Sequence, residues 1–414
     1  MSLTFGLMRA PTKVLFGSGQ LAALPRLVAE FGTRALICTD ERLAATDAFS
    51  TTMEALKDAG IEVAVFSGTE PELPVSGVFA CANSHATFDP SVIIGFGGGS
   101  CIDLAKLVGI VLSGQRDLSQ VYGEFKVTTP PVPVIAIPTT SGTGSEVTPV
   151  AVLGDKDRDL KVGVSDPALI PRVAICDPDL TLTCPPGLTA VSGIDALAHA
   201  IEAFTAIRNE ATPDLALDRV FVGKNAISDH NALAAIQLIF KHLPVAVAHG
   251  DDAEARAGVM LGSTLAGLAF GSSGTSAAHA IQYPIGALTG TAHGMGVGIL
   301  LPHVMRHNRD AALTDFAAIA RAIGRATADT PEAEAADAAI QAVQELAQQI
   351  GMPEGLAKIG VLEDRLSWIA ERSLDATRLA KNNPRPLTVE GVRGILGAAM
   401  HGTDHISGKD FANV

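Results

Sequence analysis

Charged residues are scarce in this 414-residue chain: Asp, Glu, Lys and Arg make up 18% of it, while 47% is hydrophobic, against roughly 25% charged in average soluble chains. A large share of the chain must therefore be buried, which excludes disorder over most of its length. The length calls for two domains, with room for a third. The scarcity is also uneven: from Ala257 to Met305, 49 consecutive residues contain no Asp, Glu, Lys or Arg. Even so, the window holds no uninterrupted apolar run of the roughly 18 residues that a membrane helix needs. Gly271-Ser272-Ser273-Gly274-Thr275-Ser276, Pro284, Gly286, Gly290, His279 and His293 interrupt it. Two readings of the window are left, a buried core and a site domain.

Other absences narrow the class further. There is no basic cluster, and 30 Lys plus Arg stand against 44 Asp plus Glu for a net charge of −14, which argues against a nucleic-acid partner because phosphate contacts need grouped cations. The five cysteines, Cys38, Cys81, Cys101, Cys176 and Cys184, form no CxxC pair and are too few for a disulfide framework, so a reducing compartment is expected. The opening Met-Ser-Leu-Thr-Phe-Gly-Leu has neither a charged region followed by an apolar one nor a transit-peptide bias. The expected location is the cytoplasm, with no membrane partner.

What is present in the first half is alternation. Short β-rich runs at Arg34–Thr39, Ile61–Phe66, Ser91–Phe96 and Val132–Ile137 are separated by longer helical patterns, one of them around residues 48–58. This is the signature of a parallel α/β layer covered on both faces. After about Pro185 helix signals dominate, with starts at Asp252 before Ala253-Glu254 and at Thr330-Pro331-Glu332, where proline suits a first turn. The expected division is an α/β domain over residues 1–187 and a helical domain over residues 188–414. Arg208 to Lys224 reads as a connecting excursion.

Three sets of residues carry candidate chemistry. Gly95-Phe96-Gly97-Gly98-Gly99-Ser100 stands between an apolar strand and the helical pattern Cys101-Ile102-Asp103-Leu104-Ala105-Lys106. Glycines let backbone amides close on a pyrophosphate, and the helix start supplies unpaired N–H groups. The run is a degenerate dinucleotide fingerprint after the third predicted strand, so a tight strand-to-helix turn is the competing reading. Ile137-Pro138-Thr139-Thr140-Ser141-Gly142-Thr143-Gly144-Ser145-Glu146 places five hydroxyls and two glycines at the next strand end, where parallel sheets deliver ligands; ordinary turn chemistry competes. Asp40, after the first predicted strand, is placed either to accept ribose hydroxyls or to cap a helix.

Asp195 and His199 are four residues apart and so share one face of a helix. With His279 and His293 from the uncharged window they make three imidazoles and one carboxylate, a set suited to Zn²⁺ or Fe²⁺. His303 with His307, and His401 with Asp404 and His405, rival this set by spacing alone. Their expected state is that of capped or hydrogen-bonded surface histidines.

Together these motifs resemble the iron-containing (group III) alcohol dehydrogenase family over nearly the whole chain. The matching runs are Gly97-Gly98-Gly99-Ser100 with Asp103; Pro138-Thr139-Thr140-Ser141-Gly142-Thr143-Gly144-Ser145-Glu146; Gly193-Ile194-Asp195-Ala196-Leu197-Ala198-His199 with Glu202; His293-Gly294 before Leu301-Pro302; and Asn383-Pro384-Arg385-Pro386. The resemblance implies a dehydroquinate synthase-like fold, with an α/β dinucleotide-binding domain built on a parallel sheet, an all-α C-terminal domain and a metal between them. It carries metal ligation to Asp195, His199, His279 and His293. Cofactor contact falls to Gly97, Gly98, Gly99, Ser100, Asp103, Thr139, Thr140, Thr143, Ser145 and Lys161. Asp40 matches an acid of the family's NAD-preferring members, so NAD is expected over NADP. Phe270 matches a pocket wall. Where many members carry H-x-x-x-H, this chain has His279-Ala280-Ile281-Gln282-Tyr283, and Tyr283 keeps a hydrogen-bonding group in place of an imidazole.

The expected activity is reversible hydride transfer between NAD(H) and a small alcohol or aldehyde, with a divalent ion, Fe²⁺ or Zn²⁺, in a homodimer or larger assembly. Rivals are maleylacetate-reductase-like reduction of a keto or semialdehyde acid, whose similar reductases lack the metal ligands; a dehydroquinate-synthase-like lyase; and a non-catalytic nucleotide-binding sensor. The uncharged window offers no cation for the phosphorylated, carboxylated substrate that the lyase reading requires.

Overall fold

The computed structural model describes residues 5–155 and 160–401. Nine strands are present among these residues: β1 (Lys13–Phe16), β2 (Arg34–Cys38), β3 (Glu62–Phe66), β4 (Val92–Gly97), β5 (Gly123–Glu124), β6 (Val134–Pro138), β7 (Val150–Asp155), β8 (Leu160–Ser165) and β9 (Val173–Cys176). Six of them form one sheet in the order β1-β9-β6-β4-β2-β3, with every pairing parallel. Side chains alternate between its two faces. Leu36 and Ile93 enter one buried cluster, whereas Ile37 and Ile94 enter the other. Both clusters are covered by helices, which is why the central strands are apolar throughout.

The four expected strands fall at β2, β3, β4 and β6, and the helix expected around residues 48–58 spans Asp47–Asp58. The sheet is larger than expected. β1 precedes the first predicted strand, so the glycine-rich loop follows the fourth strand and not the third. A second small sheet, β5-β8-β7, was not foreseen; in it β7 and β8 pair antiparallel.

No strand follows β9 among the described residues. The Pro186–Thr205 helix packs against those at Ala226–Ala248, Ala253–Ser273 and His293–Asn308, around one large apolar cluster. The Ala253–Ser273 helix is capped by Asp252, whose side chain accepts from the Ala255 amide at 2.8 Å. The Ala226–Ala248 helix is long and apolar enough to cross a membrane by length and composition. Its Ala232, Ala235, Ile236, Ile239 and Leu243 are buried in the core of the helical half.

The uncharged window is carried by the Ala253–Ser273, Ala277–Thr289 and His293–Asn308 helices, and small residues let the Thr/Ser-rich loop after β6 approach it closely. Gly144 has a φ of +62°, and a Cβ there would lie 2.6 Å from the Gly267 Cα. The Thr264 hydroxyl donates to Glu146 Oε1 at 3.2 Å across the same contact. Gly144→Ala adds both left-handed backbone strain and a clash with backbone that cannot swing aside, at a cost of about 2–4 kcal/mol. The expected result is a lowered midpoint of urea unfolding, and a midpoint within error of the parent would show that the contact relaxes freely.

Candidate active site

On the Pro186–Thr205 helix, Asp195, His199 and Glu202 follow one another at four and then three residues, so all three occupy one buried face. His279 lies in the first turn of the Ala277–Thr289 helix and His293 begins the His293–Asn308 helix. The ligating atoms of Asp195, His199 and His279 lie within 4.8 Å of one another. His279 Nε2 is 3.6 Å and His293 Nε2 4.0 Å from Asp195 Oδ1. His279 stacks on His199 with ring centroids 4.5 Å apart.

Outer contacts fix these rings. His279 Nδ1 meets Glu202 Oε2 at 2.6 Å, and Glu202 also accepts from the Ser276 and Ala278 amides at 2.7 and 2.6 Å. His199 Nδ1 meets the Gly142 carbonyl at 3.3 Å. The His279 and His199 rings are therefore held through Nδ1, leaving Nε2 for the centre. Asp195 Oδ1 and His279 Nε2 are buried without a hydrogen-bond partner. Buried polar atoms are rarely left in that state, and a carboxylate oxygen facing imidazole nitrogens is the donor set of a divalent cation. The residues present fit such an ion.

The electrostatics agree. Burial, countered chiefly by His279, pushes the Asp195 carboxyl up to about 6. Burial holds the His199 and His293 imidazoles well below the ordinary range, with His279 adding to this at both. Burial also works against charge on His279, but the charge and hydrogen bond of Glu202 outweigh it and raise that imidazole. Two rings kept neutral are free to ligate.

Phe270 stacks on His199 at 4.3 Å and 20°. The Tyr283 ring is 6.1 Å from that of His293, and burial raises its phenol, leaving it a neutral hydroxyl. Asp195, His199, Phe270, His279, Tyr283 and His293 line a cavity of about 1720 Å³ that also reaches Asp40, Gly98, Gly99, Ser100, Asp103, Thr139, Thr140, Thr143, Ser145 and Lys161. Gly98 caps the Gly99–Leu112 helix with no side chain over its first amides. Gly97 is not in the lining; its carbonyl accepts from the Thr139 amide at 3.0 Å and joins the two loops.

Several candidates have partners of their own. Asp40 Oδ1 accepts from the Leu43 amide at 2.8 Å and so caps a short helix. Lys161 pairs with Glu72. Asp103 accepts from the Ser145 hydroxyl at 2.5 Å and from the Val152 amide at 2.9 Å. Beneath them Lys106, fully buried, donates to Ser145 Oγ, Thr148 O and Val150 O at 2.9, 3.0 and 2.8 Å.

The rival histidines stay apart from this cluster. His303 is buried, not at the surface as expected, and burial pushes its imidazole down to about 4. His307 is pushed down to about 4 in the same way. His401 is exposed and meets Glu363 at 3.0 Å, while Asp404 and His405 lie outside the described residues. The Arg208 to Lys224 segment is more than a connector, since Asn209, Asp218, Arg219 and Phe221 from it line the cavity. Sequence reasoning gave Glu202 no role, although its place seven residues after Asp195 put it on the ligand face. Lys106, buried beneath the cavity, and Arg378, which lines it, carry no local signal.

Comparison with known proteins bears on the same two halves. Residues 11–178 match the family model described as iron-containing alcohol dehydrogenase, and residues 189–400 match that of the Fe-containing alcohol dehydrogenase family, C-terminal. The chain is 33% identical over 391 residues to an NAD-dependent methanol dehydrogenase from Bacillus methanolicus, covering 94% of this chain and 98% of that one. It is 36% identical over 371 residues to a 1,3-propanediol dehydrogenase from Klebsiella pneumoniae, covering 89% and 92%. The crystal structure of a 1,3-propanediol oxidoreductase superposes with a TM-score of 0.89 at 33% identity, covering 96% of this chain and 100% of that one.

Proposed function

Because the chain belongs to the iron-containing alcohol dehydrogenase family, we propose that it is an NAD-dependent, metal-containing alcohol dehydrogenase or aldehyde reductase that works in the cleft between residues 1–187 and residues 188–414. The observation that carries this reading is the partnerless Asp195 Oδ1 and His279 Nε2, facing each other in a cavity large enough for a dinucleotide. In this reading Asp195, His199, His279 and His293 hold the ion, and Fe²⁺ and Zn²⁺ both suit the donors. When bound, the ion polarises the substrate oxygen and the nicotinamide gives or takes the hydride.

The chain's own groups bind, orient and exclude water. The Gly98 to Ser100 amides at a helix start attract the pyrophosphate. Thr139, Thr140 and Thr143 offer hydroxyls, while Ser145 and Asp103, braced by Lys106, hold the floor of the cleft. Phe270 covers one face of His199 and keeps water from it. The neutral Tyr283 phenol can donate to an oxygen where negative charge develops.

A cytoplasmic setting, suggested by five free buried cysteines, and a homodimer or larger assembly complete the reading. The test is metal analysis of protein purified without added metal, combined with NADH oxidation across aldehydes. Protein that holds no iron or zinc when offered either, or oxidises NADH with no aldehyde, would overturn it.

Asp40 lines the cavity at the end of β2, where its carboxylate would repel a 2′-phosphate. Serine preserves the helix cap and removes the charge. Asp40→Ser should lower the ratio of kcat/KM for NADH over NADPH by about tenfold to a hundredfold. An unaltered ratio would dissociate Asp40 from cofactor choice.

A further inference from the structure

The uncharged window supplies no cation to the cleft, but other parts of the chain do, among them Arg42, Lys161, Arg219 and Arg378. Arg378, on the Thr377–Asn382 helix, lines the same cavity as Asp195, His279, Tyr283 and His293. Its guanidinium lies over the Phe221 ring, 4.2 Å from the centroid. It also lies against Gly274, where a Cβ would stand 3.3 Å from Nη1 and 3.1 Å from Phe221 Cβ. Its charge acts on the Tyr283 phenol. Nη1 is buried without a hydrogen-bond partner, and no carboxylate among the described residues pairs with Arg378.

The nearby acids are engaged elsewhere. Glu202 already accepts from His279 and the Ser276 and Ala278 amides, and Glu124 accepts from the Val220 amide at 2.7 Å. A guanidinium held on an aromatic face, with room made by a glycine, one buried nitrogen unpartnered and no carboxylate in ion-pair contact, is completed by an anionic ligand. The group it fits is a planar or tetrahedral oxyanion, which the fork can grip through two parallel N–H···O bonds.

We propose that Arg378 determines substrate specificity by binding the anionic end of a short aldehyde whose other end is reduced at the Asp195, His199, His279 and His293 cluster. The substrate class is then an aldehyde bearing a carboxylate or a sulfonate, with the matching hydroxy acid as the alcohol. This rests on the oxidoreductase reading above and names its substrate. The reaction balances as for any aldehyde: the carbonyl carbon gains a hydride from NADH, which becomes NAD⁺, the oxygen gains a proton from solvent, and the anionic group is unchanged. The neutral aldehyde of equal length leaves the guanidinium partnerless, and sites built around such a group discriminate strongly against the analogue that lacks it.

The test compares metal-loaded protein on length-matched pairs: succinate semialdehyde with butanal, malonate semialdehyde with propanal, and sulfoacetaldehyde with propanal. The expected kcat/KM favours the anionic member of at least one pair by about 100-fold, and the carboxylate and sulfonate arms show which head group is read. Arg378→Gln should remove about that whole preference, Arg378→Lys should restore part of it, and KM for NADH should stay close to the parent value. Equal kcat/KM within every pair in the parent protein overturns the proposal without any variant. A Gln variant that keeps the preference, or one whose main defect is a raised KM for NADH, overturns it too, the latter by assigning Arg378 to the dinucleotide. If no aldehyde of either kind oxidises NADH, the oxidoreductase reading itself has failed.

Discussion

Alanine at position 279 should leave the purified protein depleted of metal and lower kcat/KM for aldehyde reduction by about 10³-fold or more. The magnitude follows from the role the ring would fill. Polarising a substrate oxygen by a divalent ion contributes several kcal/mol to the transition state, and each 1.36 kcal/mol is a factor of ten. His279 has no slack with which to be replaced. Its Nδ1 is fixed by Glu202 at 2.6 Å, its face by His199, and its Nε2 looks at Asp195. The milder Glu202→Gln keeps the ligand and loosens its support, so metal affinity should fall by about 10- to 100-fold. Elemental analysis paired with steady-state kinetics reads both changes. Metal content and activity matching the parent in His279→Ala would remove the cluster from the mechanism.

Lys106→Met should cost about 3–5 kcal/mol of folding stability, the range for leaving a buried charge without its partner. The side chain is fully buried, and burial pulls its ammonium down to about 8, with the charges of Asp103 and Glu146 opposing that fall. It closes a relay in which Lys106 donates to the Ser145 hydroxyl and Ser145 donates to Asp103, while the Thr148 and Val150 carbonyls take its other protons. Methionine preserves volume but leaves those acceptors unpaired and removes the cation beside the Asp103 carboxylate. Denaturant titration checks the loss, and adding Asp103→Asn to the variant should recover about 1 kcal/mol or more of it. A loss below about 1 kcal/mol would mean that water takes over from the ammonium. Because Ser145 and Asp103 both line the cleft, the damage should extend to cofactor affinity.

What could be read before the structure was known depended on how local the signal was. β4 and β6 are continuous apolar runs buried on both faces, so neighbouring residues alone disclose them. Asp195 and His199 are legible because helical period converts four residues of spacing into one face. β1 was missed because it is only four residues long, part exposed, and defined by pairing with β9, some 160 residues away. β8 likewise lies beside a strand that is not its sequence neighbour, β5, about 40 residues earlier in the chain. Arg378 is ordinary in its own helix; its meaning comes from Phe221 and Gly274, which the fold brings to it. His303 was misjudged for a related reason, since helical spacing does not tell which face a neighbouring helix will cover.

The four candidate ligands come from three different helices, at Pro186–Thr205, Ala277–Thr289 and His293–Asn308. An ion gripped by all of them acts as a rivet through the middle of the helical half. A rivet of this kind strengthens the native state by an amount that grows with the logarithm of the free ion concentration over its dissociation constant, roughly 4 kcal/mol at a thousandfold excess. With such an ion bound, the surrounding metal supply would govern how long the folded chain persists, in addition to how fast it turns over substrate.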